Sequence, residues 1–168
     1  MIHIKAITHH DLSKIRKIAY ITWPSTFGSM LPPDQIGYML NLIYNDESLI
    51  MQMAYGQAFL LVEKENVAVG FCSYQIDYPL SGQFMIHKFY LLPDVQGLGI
   101  GAKVLNHLCE LAMLNHNNIL RLKVFYLNNK AIHFYLKNGF VKAGEERTLC
   151  DNYDPIIDIV MLKKLAID

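Results

Sequence analysis

The segment LLPDVQGLGIGAKVLNHL, residues 91–108, restricts the fold of this chain more than any other. An apolar run ends at Leu92 and Pro93, and glycine then occupies every second position from 97 to 101. The residues that follow have the spacing of an amphipathic helix. A strand, a glycine-rich turn and a helix start together predict that backbone amides hold an anionic group at the helix N-terminus.

Two nucleotide-binding motifs fit this turn poorly. Gly97, Gly99 and Ala102 satisfy the dinucleotide pattern G-x-G-x-x-[GA], but Pro93 to Gln96 separate them from the strand. The acid that should bind the ribose ~20 residues later is missing from the next predicted strand. The phosphate-binding pattern G-x-x-x-x-G-K-[ST] does not occur in the chain. On the glycines alone, a tight turn that needs small residues only for helix packing stays open.

Length and charge indicate one enzyme-sized domain without a general affinity for nucleic acid. The chain has 168 residues, which favours a single domain over residues 1–168. Hydrophobic residues make up 52% of it, enough for a sizeable core. The formal net charge is zero, whereas nucleic-acid binding requires an excess of positive charge.

Cysteine usage and the N-terminal segment predict a cytoplasmic protein. The three cysteines lack CxxC spacing, so we expect buried thiols and neither disulfides nor a zinc site. The histidines have no metal-ligand spacing, and no metal is expected. The N-terminus lacks the apolar core of a signal peptide, and no apolar run approaches the ~20 residues of a membrane span.

The apolar pattern predicts a mixed α+β sheet. The expected order is a strand, two or three helices, three strands, a helix, a strand, a helix and two strands. The predicted elements are a strand at 2–7, helices at 8–23, 33–44 and 45–55, strands on both sides of a turn within 57–78, a strand at 82–93, a helix at 99–116, a strand at 119–126, a helix at 128–139, and an antiparallel pair at 140–149 and 156–165. Short turns between the middle strands favour antiparallel pairing.

Two motifs in this order resemble the GNAT superfamily of acyl-CoA-dependent N-acetyltransferases. The first is Q-G-L-G-I-G at 96–101, which matches [QR]-x-x-G-x-[GA] after a strand that ends in YLLP. The second matches N-x-x-A-x-x-x-Y-x-x-x-G-F at 128–140. The resemblance covers at least residues 58–165. It implies a GNAT-like, mostly antiparallel sheet flanked by helices, with splayed central strands and with acetyl-CoA as co-substrate.

The resemblance also implies which residues bind acetyl-CoA. The pyrophosphate would lie against the backbone of the turn, where the helix dipole favours negative charge. The turn residues are Gln96, Gly97, Leu98, Gly99, Ile100 and Gly101. The backbone amide of Leu91 would face the thioester carbonyl. Asn128 would bind the arm of the coenzyme in addition to capping its helix.

Two residues are candidates for proton transfer. Tyr135 occupies the position of the family's general acid, and a phenol is a proton donor near neutral pH. His87 lies on the same strand face as Leu91 and is the candidate base. The alternatives are an aromatic residue that only packs for Tyr135 and a partly exposed strand residue for His87.

The acceptor is expected to be a small-molecule primary amine. The segment 18–40 resembles, less closely, the polyamine and diamine branch of the family. Trp23, Phe27 and Tyr38 would then contact an alkyl chain, and Asp77 would hold a distant ammonium group. Core packing of the same aromatic residues, a protein or peptide acceptor, and a regulatory CoA-binding domain without turnover remain alternatives, and a homodimer stays open.

Overall fold

The structure, a computed structural model, describes residues 1–166, and its seven strands form one mixed sheet. The strand order is β1-β2-β3-β4-β5-β7-β6. The strands are β1 (Ile2–Ala6), β2 (Ala58–Lys64), β3 (Val67–Gln75), β4 (Gln83–Leu91), β5 (Ile119–Phe125), β6 (Val141–Cys150) and β7 (Tyr153–Lys164). The pairs β1–β2, β2–β3, β5–β7 and β6–β7 are antiparallel, and β4–β5 is parallel.

Five α-helices accompany the strands in the described part of the chain. They are α1 (Leu12–Phe27), α2 (Pro33–Tyr44), α3 (Asp46–Ala54), α4 (Ile100–Leu114) and α5 (Asn129–Lys137). Short 3-10 turns at His9–Asp11 and Pro93–Val95 precede α1 and α4. Within residues 1–166 no helix has the length and apolar character needed to cross a membrane. The predicted order of elements and the α+β fold class are confirmed.

Local chemistry explains several of the element boundaries. Asn45 caps α3, because its side-chain oxygen accepts from the backbone N–H of Ser48 at 2.8 Å. The turn between β2 and β3 places Glu65 and Asn66 at φ 52° and 64°, as a two-residue hairpin with the right twist requires. Gly139, at φ 87°, ends α5 in the left-handed conformation that glycine tolerates best.

Helix α1 differs from its predicted end. The sequence pattern stopped at Trp23, before Pro24, whereas the helix continues to Phe27. The backbone N–H of Gly28 still reaches the oxygen of Pro24 at 2.9 Å. The rings of Trp23 and Phe27 lie 4.9 Å apart, and both are buried. Burial of two aromatic side chains on one helix face offsets the hydrogen bond that proline cannot donate.

The parallel pair β4–β5 agrees with the predicted divergence of the central strands. The register pairs Gln83–Ile86 with Ile119–Leu122. Strand β4 continues to Leu91 and β5 to Phe125. Among the described residues, the pairing is therefore confined to the beginnings of the two strands.

The chain contains two compact units. The first consists of residues 1–75 and 87–108 and includes β1 to β3, α1 to α3, the end of β4 and most of α4. Its core contains fully buried side chains from helices and strands, among them Ile15, Leu49, Leu61, Phe71 and Val104.

The second unit consists of residues 76–86 and of the chain from 109 onward. It includes the beginning of β4, strands β5 to β7 and helix α5. Leu120, Leu122, Phe140 and Met161 are almost fully buried in it. Each unit thus has its own set of buried apolar side chains.

Candidate active site

The turn between β4 and α4 has the backbone conformation that its glycines predict. Gly97 and Gly99 adopt φ values of 77° and 76°, a region that residues with a Cβ rarely occupy. A Cβ added at either position would meet no protein atom within 4 Å. The surface beside the turn is therefore open, and a ligand could approach the backbone closely there.

The backbone N–H groups of this turn can donate hydrogen bonds to an anion. Among the described residues, the backbone N–H groups of Gly97, Leu98 and Gly99 have no hydrogen-bond acceptor. The first helical backbone bond at this end of α4 runs from the N–H of Lys103 to the oxygen of Gly99 at 3.3 Å. The first amides of a helix lack internal partners and carry the positive end of its dipole. A phosphate group fits this arrangement without any basic side chain.

Gln96 has a role that its sequence position did not reveal. Its side-chain Nε2 donates to the backbone oxygen of Leu91 at 2.9 Å. This bond joins the beginning of the glycine turn to the last residue of β4. The side chain of Gln96 therefore holds the turn in place, while its backbone remains a candidate phosphate contact.

The backbone amide of Leu91 points away from β3. The N–H of the next residue, Leu92, donates to the oxygen of Val69 at 2.8 Å. Successive N–H groups of a strand point to opposite edges, so the Leu91 amide faces the edge that β3 does not cover. That edge is where a thioester carbonyl would receive a hydrogen bond.

Gly70 allows the end of β4 to approach β3. A Cβ at Gly70 would lie 2.4 Å from Cδ2 of Leu91 and 2.6 Å from the backbone oxygen of Tyr90. The second distance involves backbone, which cannot move without displacing the strand. Sequence reasoning did not identify Gly70, because its requirement comes from a neighbouring strand.

His87 is held by a fixed amide. Its Nε2 lies 3.1 Å from Oε1 of Gln75, and Nε2 of Gln75 donates to the oxygen of Tyr55 at 3.0 Å. The second bond orients the amide so that its oxygen faces the histidine. Nε2 of a neutral His87 is therefore the protonated nitrogen, and the lone pair lies on Nδ1.

Lys88, the next residue, was missed by the sequence analysis. Its Nζ donates to Oε1 of Gln52 at 2.5 Å and to Oε1 of Gln57 at 3.1 Å. It also lies 5.3 Å from the centroid of the Phe59 ring. Burial lowers the pKa of Lys88 to about 7. The available signal was a lysine in the middle of a mostly apolar strand, where lysine is rare.

The predicted acceptor aromatics lie on the early helices of the first unit. Trp23 and Phe27 are buried, and Nε1 of Trp23 donates to the hydroxyl of Tyr44 at 3.3 Å. The ring of Trp23 is 6.2 Å from that of Tyr90 on β4. Tyr38 on α2 is half-buried. Trp23 and Phe27 thus contribute to a packed aromatic cluster, and their contact with a substrate stays a prediction.

The second unit contains the other predicted residues. Tyr135 is buried on α5, with its ring 5.5 Å from that of Phe140. Asn128 caps α5, because its Oδ1 accepts from the N–H of Ala131 at 3.2 Å. Its Nδ2 carries two further donors that could bind a ligand. The second motif therefore has the local geometry that the sequence predicts.

Asp77, also in the second unit, supports a loop. Its Oδ1 accepts from the N–H of Gly82 at 2.8 Å and from Nδ2 of Asn117 at 2.9 Å. Asp77 itself adopts φ 53°. Its proposed contact with a substrate ammonium stays a prediction. Glu146 pairs with Arg121 at 2.5 Å and with Lys123 at 3.1 Å.

The three cysteines differ in burial. Cys72 and Cys109 are buried and Cys150 is half-buried, and none of the three forms a disulfide. Burial raises the pKa of the Cys72 thiol to about 12, so it does not ionise near neutral pH. In the part of the chain that the structure describes, no three metal-ligating side chains come together.

Comparison with known proteins identifies the family. The sequence profile described as the acetyltransferase (GNAT) family matches residues 15–140. The chain belongs to this family. The matched region is accordingly an acetyltransferase (GNAT) domain. The open amides of the glycine turn and the outward amide of Leu91 fit the acetyl-CoA that the family resemblance implies.

Solved structures share the fold of this acetyltransferase. The PaiA N-acetyltransferase of Thermoplasma acidophilum, in complex with coenzyme A, is 21% identical, with a TM-score of 0.81 over 98% of this chain and 99% of that one. The ribosomal-protein-S18-alanine N-acetyltransferase of Escherichia coli is 17% identical, with a TM-score of 0.74 over 100% of this chain and 96% of that one. At sequence identities of 21% and 17%, the similarity shows that these proteins share a fold.

One human protein is similar in sequence over a shorter stretch. The spermidine/spermine N(1)-acetyltransferase-like protein 1 of Homo sapiens is 30% identical over 83 residues, which is 48% of this chain. The match spans 12% of the length of that protein.

Proposed function

We propose that this acetyltransferase transfers the acetyl group of acetyl-CoA to the primary amine of a small molecule. The observation that carries the proposal is the glycine turn, whose open amides and positive φ values lie directly after the outward amide of Leu91. His87 lies four residues earlier on the same strand. One strand and one turn therefore supply an anion site, an oxyanion donor and a base.

The proposed roles follow the charges that develop during transfer. When bound, acetyl-CoA supplies an activated acyl thioester. The amide of Leu91 donates a hydrogen bond to the thioester oxygen as that oxygen becomes negative. Nδ1 of His87 accepts the proton of the attacking amine, directly or through a water molecule. The C–N bond forms, and the C–S bond breaks as the hydroxyl of Tyr135 donates a proton to the departing sulfur. The second proton that the nitrogen loses restores the hydroxyl of Tyr135.

Removal of a proton from the acceptor is a substantial part of the barrier. A primary alkyl amine with a pKa near 10.4 must lose a proton before its lone pair can attack. At pH 7 this costs about 4–5 kcal/mol. A neutral histidine is the base whose ordinary titration range suits this step. The position of His87 on β4 therefore supports a catalytic role.

Two features support a small alkyl amine as the acceptor. The segment 18–40 resembles the polyamine branch, and the human relative with 30% identity bears a spermidine/spermine acetyltransferase-like name. The zero net charge of the chain gives no reason to expect a partner bound to nucleic acid. The three free cysteines agree with a location in the reducing cytoplasm.

The test is release of free thiol from acetyl-CoA with a panel of amines. The panel contains spermidine, diamines, amino acids, aminoglycosides and a lysine peptide. We expect at least one small amine to give the highest kcat/KM. If the lysine peptide is the best substrate, the chain is a protein acetyltransferase and the small-molecule proposal is wrong. Binding of acetyl-CoA without thiol release for any acceptor would show a regulatory domain.

A further inference from the structure

Lys88 in the first unit is a cationic side chain with only uncharged contacts. Its Nζ donates to the amide oxygens of Gln52 and Gln57 and lies over the ring of Phe59. Lys5, Lys14 and Lys123, by contrast, form ion pairs with carboxylates. Among residues 1–166, no carboxylate lies within ion-pair distance of Lys88.

The two amide oxygens are held toward the lysine. Nε2 of Gln52 donates to the backbone oxygen of Ile43 at 2.8 Å, so the Oε1 of that amide points toward Nζ. Oε1 of Gln57 also accepts from Oγ of Ser73 at 3.2 Å. These bonds position an ammonium without neutralising it. An ammonium has three donors, and the described residues take two of them.

A buried ammonium without a counter-charge is unfavourable. Removing it from water costs free energy that a carboxylate partner normally offsets. Burial is also the cause that lowers the pKa of Lys88 to about 7. A ligand that brings a carboxylate to the third donor would supply the missing charge. Lys88 is half-buried and not fully enclosed, so such a ligand can reach it.

Lys88 also lies on the side of the sheet that the early helices cover. Side chains alternate along a strand, so Lys88 shares a face with Tyr90, whose ring contacts Trp23 of α1. Gln52 belongs to α3. The backbone amide of Leu91, at the edge of the same strand, lies about 10 Å farther along. A molecule of a few methylene groups can span that distance.

We propose that Lys88 binds a carboxylate of the acceptor, so that the preferred acceptor is an amino carboxylate and not a polyamine. The inference rests on the proposed acetyl transfer and narrows its substrate class. A diamine would place its far ammonium near the lysine cation, and like charges repel. An amine that carries a carboxylate at the other end forms an ion pair there.

A matched pair of acceptors tests this proposal. The pair is 5-aminopentanoate and 1,4-diaminobutane, which have the same four-carbon chain beside the reacting amine and differ in the far group. n-Pentylamine serves as the neutral reference. We expect kcat/KM for 5-aminopentanoate to exceed that for 1,4-diaminobutane by about 10-fold or more, as for a partly buried charge pair. An equal or higher value for the diamine would overturn the proposal.

Variants of Lys88 show whether the lysine causes the preference. Lys88→Met should remove it through a higher KM for 5-aminopentanoate, with kcat for n-pentylamine little changed. Lys88→Arg should keep the preference, and Lys88→Glu should reverse it in favour of the diamine. Lys17→Met, at an exposed lysine of α1 in the same unit, is the matched control and should leave the preference unchanged.

The outcomes separate this inference from the proposed function. Turnover with a preference for cationic amines would refute the carboxylate site and leave the acetyltransferase proposal standing. If Lys88→Met lowers kcat equally for all three acceptors, the lysine acts in proton transfer and the carboxylate site is wrong. If no amine yields thiol although acetyl-CoA binds, the proposed small-molecule turnover itself fails.

Discussion

At the scale of single residues, Lys88 should make the stability of the fold depend on pH. Burial lowers its pKa from 10.5 to about 7 in the folded chain. Between these values the unfolded chain binds more protons than the folded chain, so the free energy of unfolding rises with pH. Below pH 7 the lysine is charged in both states, and the cost of burying the charge is fully present.

Wild type should therefore gain about 2 kcal/mol of stability relative to Lys88→Met between pH 7 and pH 9. Urea unfolding of both proteins at the two pH values measures this difference. The comparison cancels groups that titrate equally in the two proteins. A difference in stability that does not change with pH would contradict the burial of a charged lysine.

A second prediction for a single residue concerns the hydroxyl group of Tyr135. Tyr135→Phe keeps the buried ring beside Phe140 and removes the hydroxyl donor. General acid catalysis typically contributes ~10²–10⁴ in rate, so turnover should fall toward that range. Affinity for CoA, measured by calorimetry, should change little. Tyr126→Phe, at an exposed tyrosine of the same unit, is the control. If turnover of Tyr135→Phe stays within about twofold of wild type, Tyr135 contributes to packing and not to proton transfer.

Individual contacts were the least predictable part of the site. Tyr135 and His87 could be proposed from a motif and a strand pattern. The environment of Lys88 could not be predicted, because its partners Gln52 and Gln57 lie 36 and 31 residues away in the sequence. The bond from the side chain of Gln96 to the backbone oxygen of Leu91 could not be predicted either. Local spacing carries no information on which distant side chain a polar group will meet.

At the scale of elements, the glycine turn should control co-substrate binding. Gly99→Val places a β-branched residue at φ 76° and fills the open surface beside the turn. We expect the Kd for acetyl-CoA to rise by about 10-fold or more, with the far-UV circular dichroism unchanged. Gly37→Val is the matched control, since Gly37 lies in α2 with open space around it. Equal Kd values for wild type and Gly99→Val would show that the turn does not bind acetyl-CoA.

A second prediction at the scale of elements concerns the contact between β3 and β4. Gly70→Ala would force a methyl group against the backbone oxygen of Tyr90, at 2.6 Å. Overpacking of this kind typically costs 1–3 kcal/mol, so about that loss of unfolding free energy is expected. The displaced Leu91 amide should also lower kcat more than it raises the KM for acetyl-CoA. Gly37→Ala, in α2, should show neither effect.

Most of the elements could be predicted, because their apolar periodicity and caps are local. The hairpin at Glu65 and Asn66 and the cap at Asn45 follow from residues within one turn. The end of α1 was placed too early because proline usually ends a helix, whereas two buried aromatic rings continue this one. The divergence of β4 and β5 came from the family resemblance, since pairing register depends on contacts across the sheet.

At the scale of the whole molecule, acetyl-CoA should stabilise the folded chain selectively. A ligand that binds only the native state at about 100 times its Kd adds ~2.7 kcal/mol. For a chain of this size that corresponds to a rise in Tm of several degrees. NAD and ATP should produce no comparable rise, because the turn lacks the ribose acid and the phosphate-binding lysine of those sites. A rise with NAD as large as with acetyl-CoA would restore the dinucleotide interpretation.

The most direct test of the central claim, amine acetylation by acetyl-CoA, follows both products in one reaction. Free thiol is measured by its colour reaction, and the N-acetylated amine by mass spectrometry, with and without 5-aminopentanoate or another small amine. We expect the two products to form in equal amounts, only with the amine present, and more slowly with Gly99→Val at subsaturating acetyl-CoA. Thiol release that does not depend on any amine, or acetyl-CoA binding without either product, would contradict it.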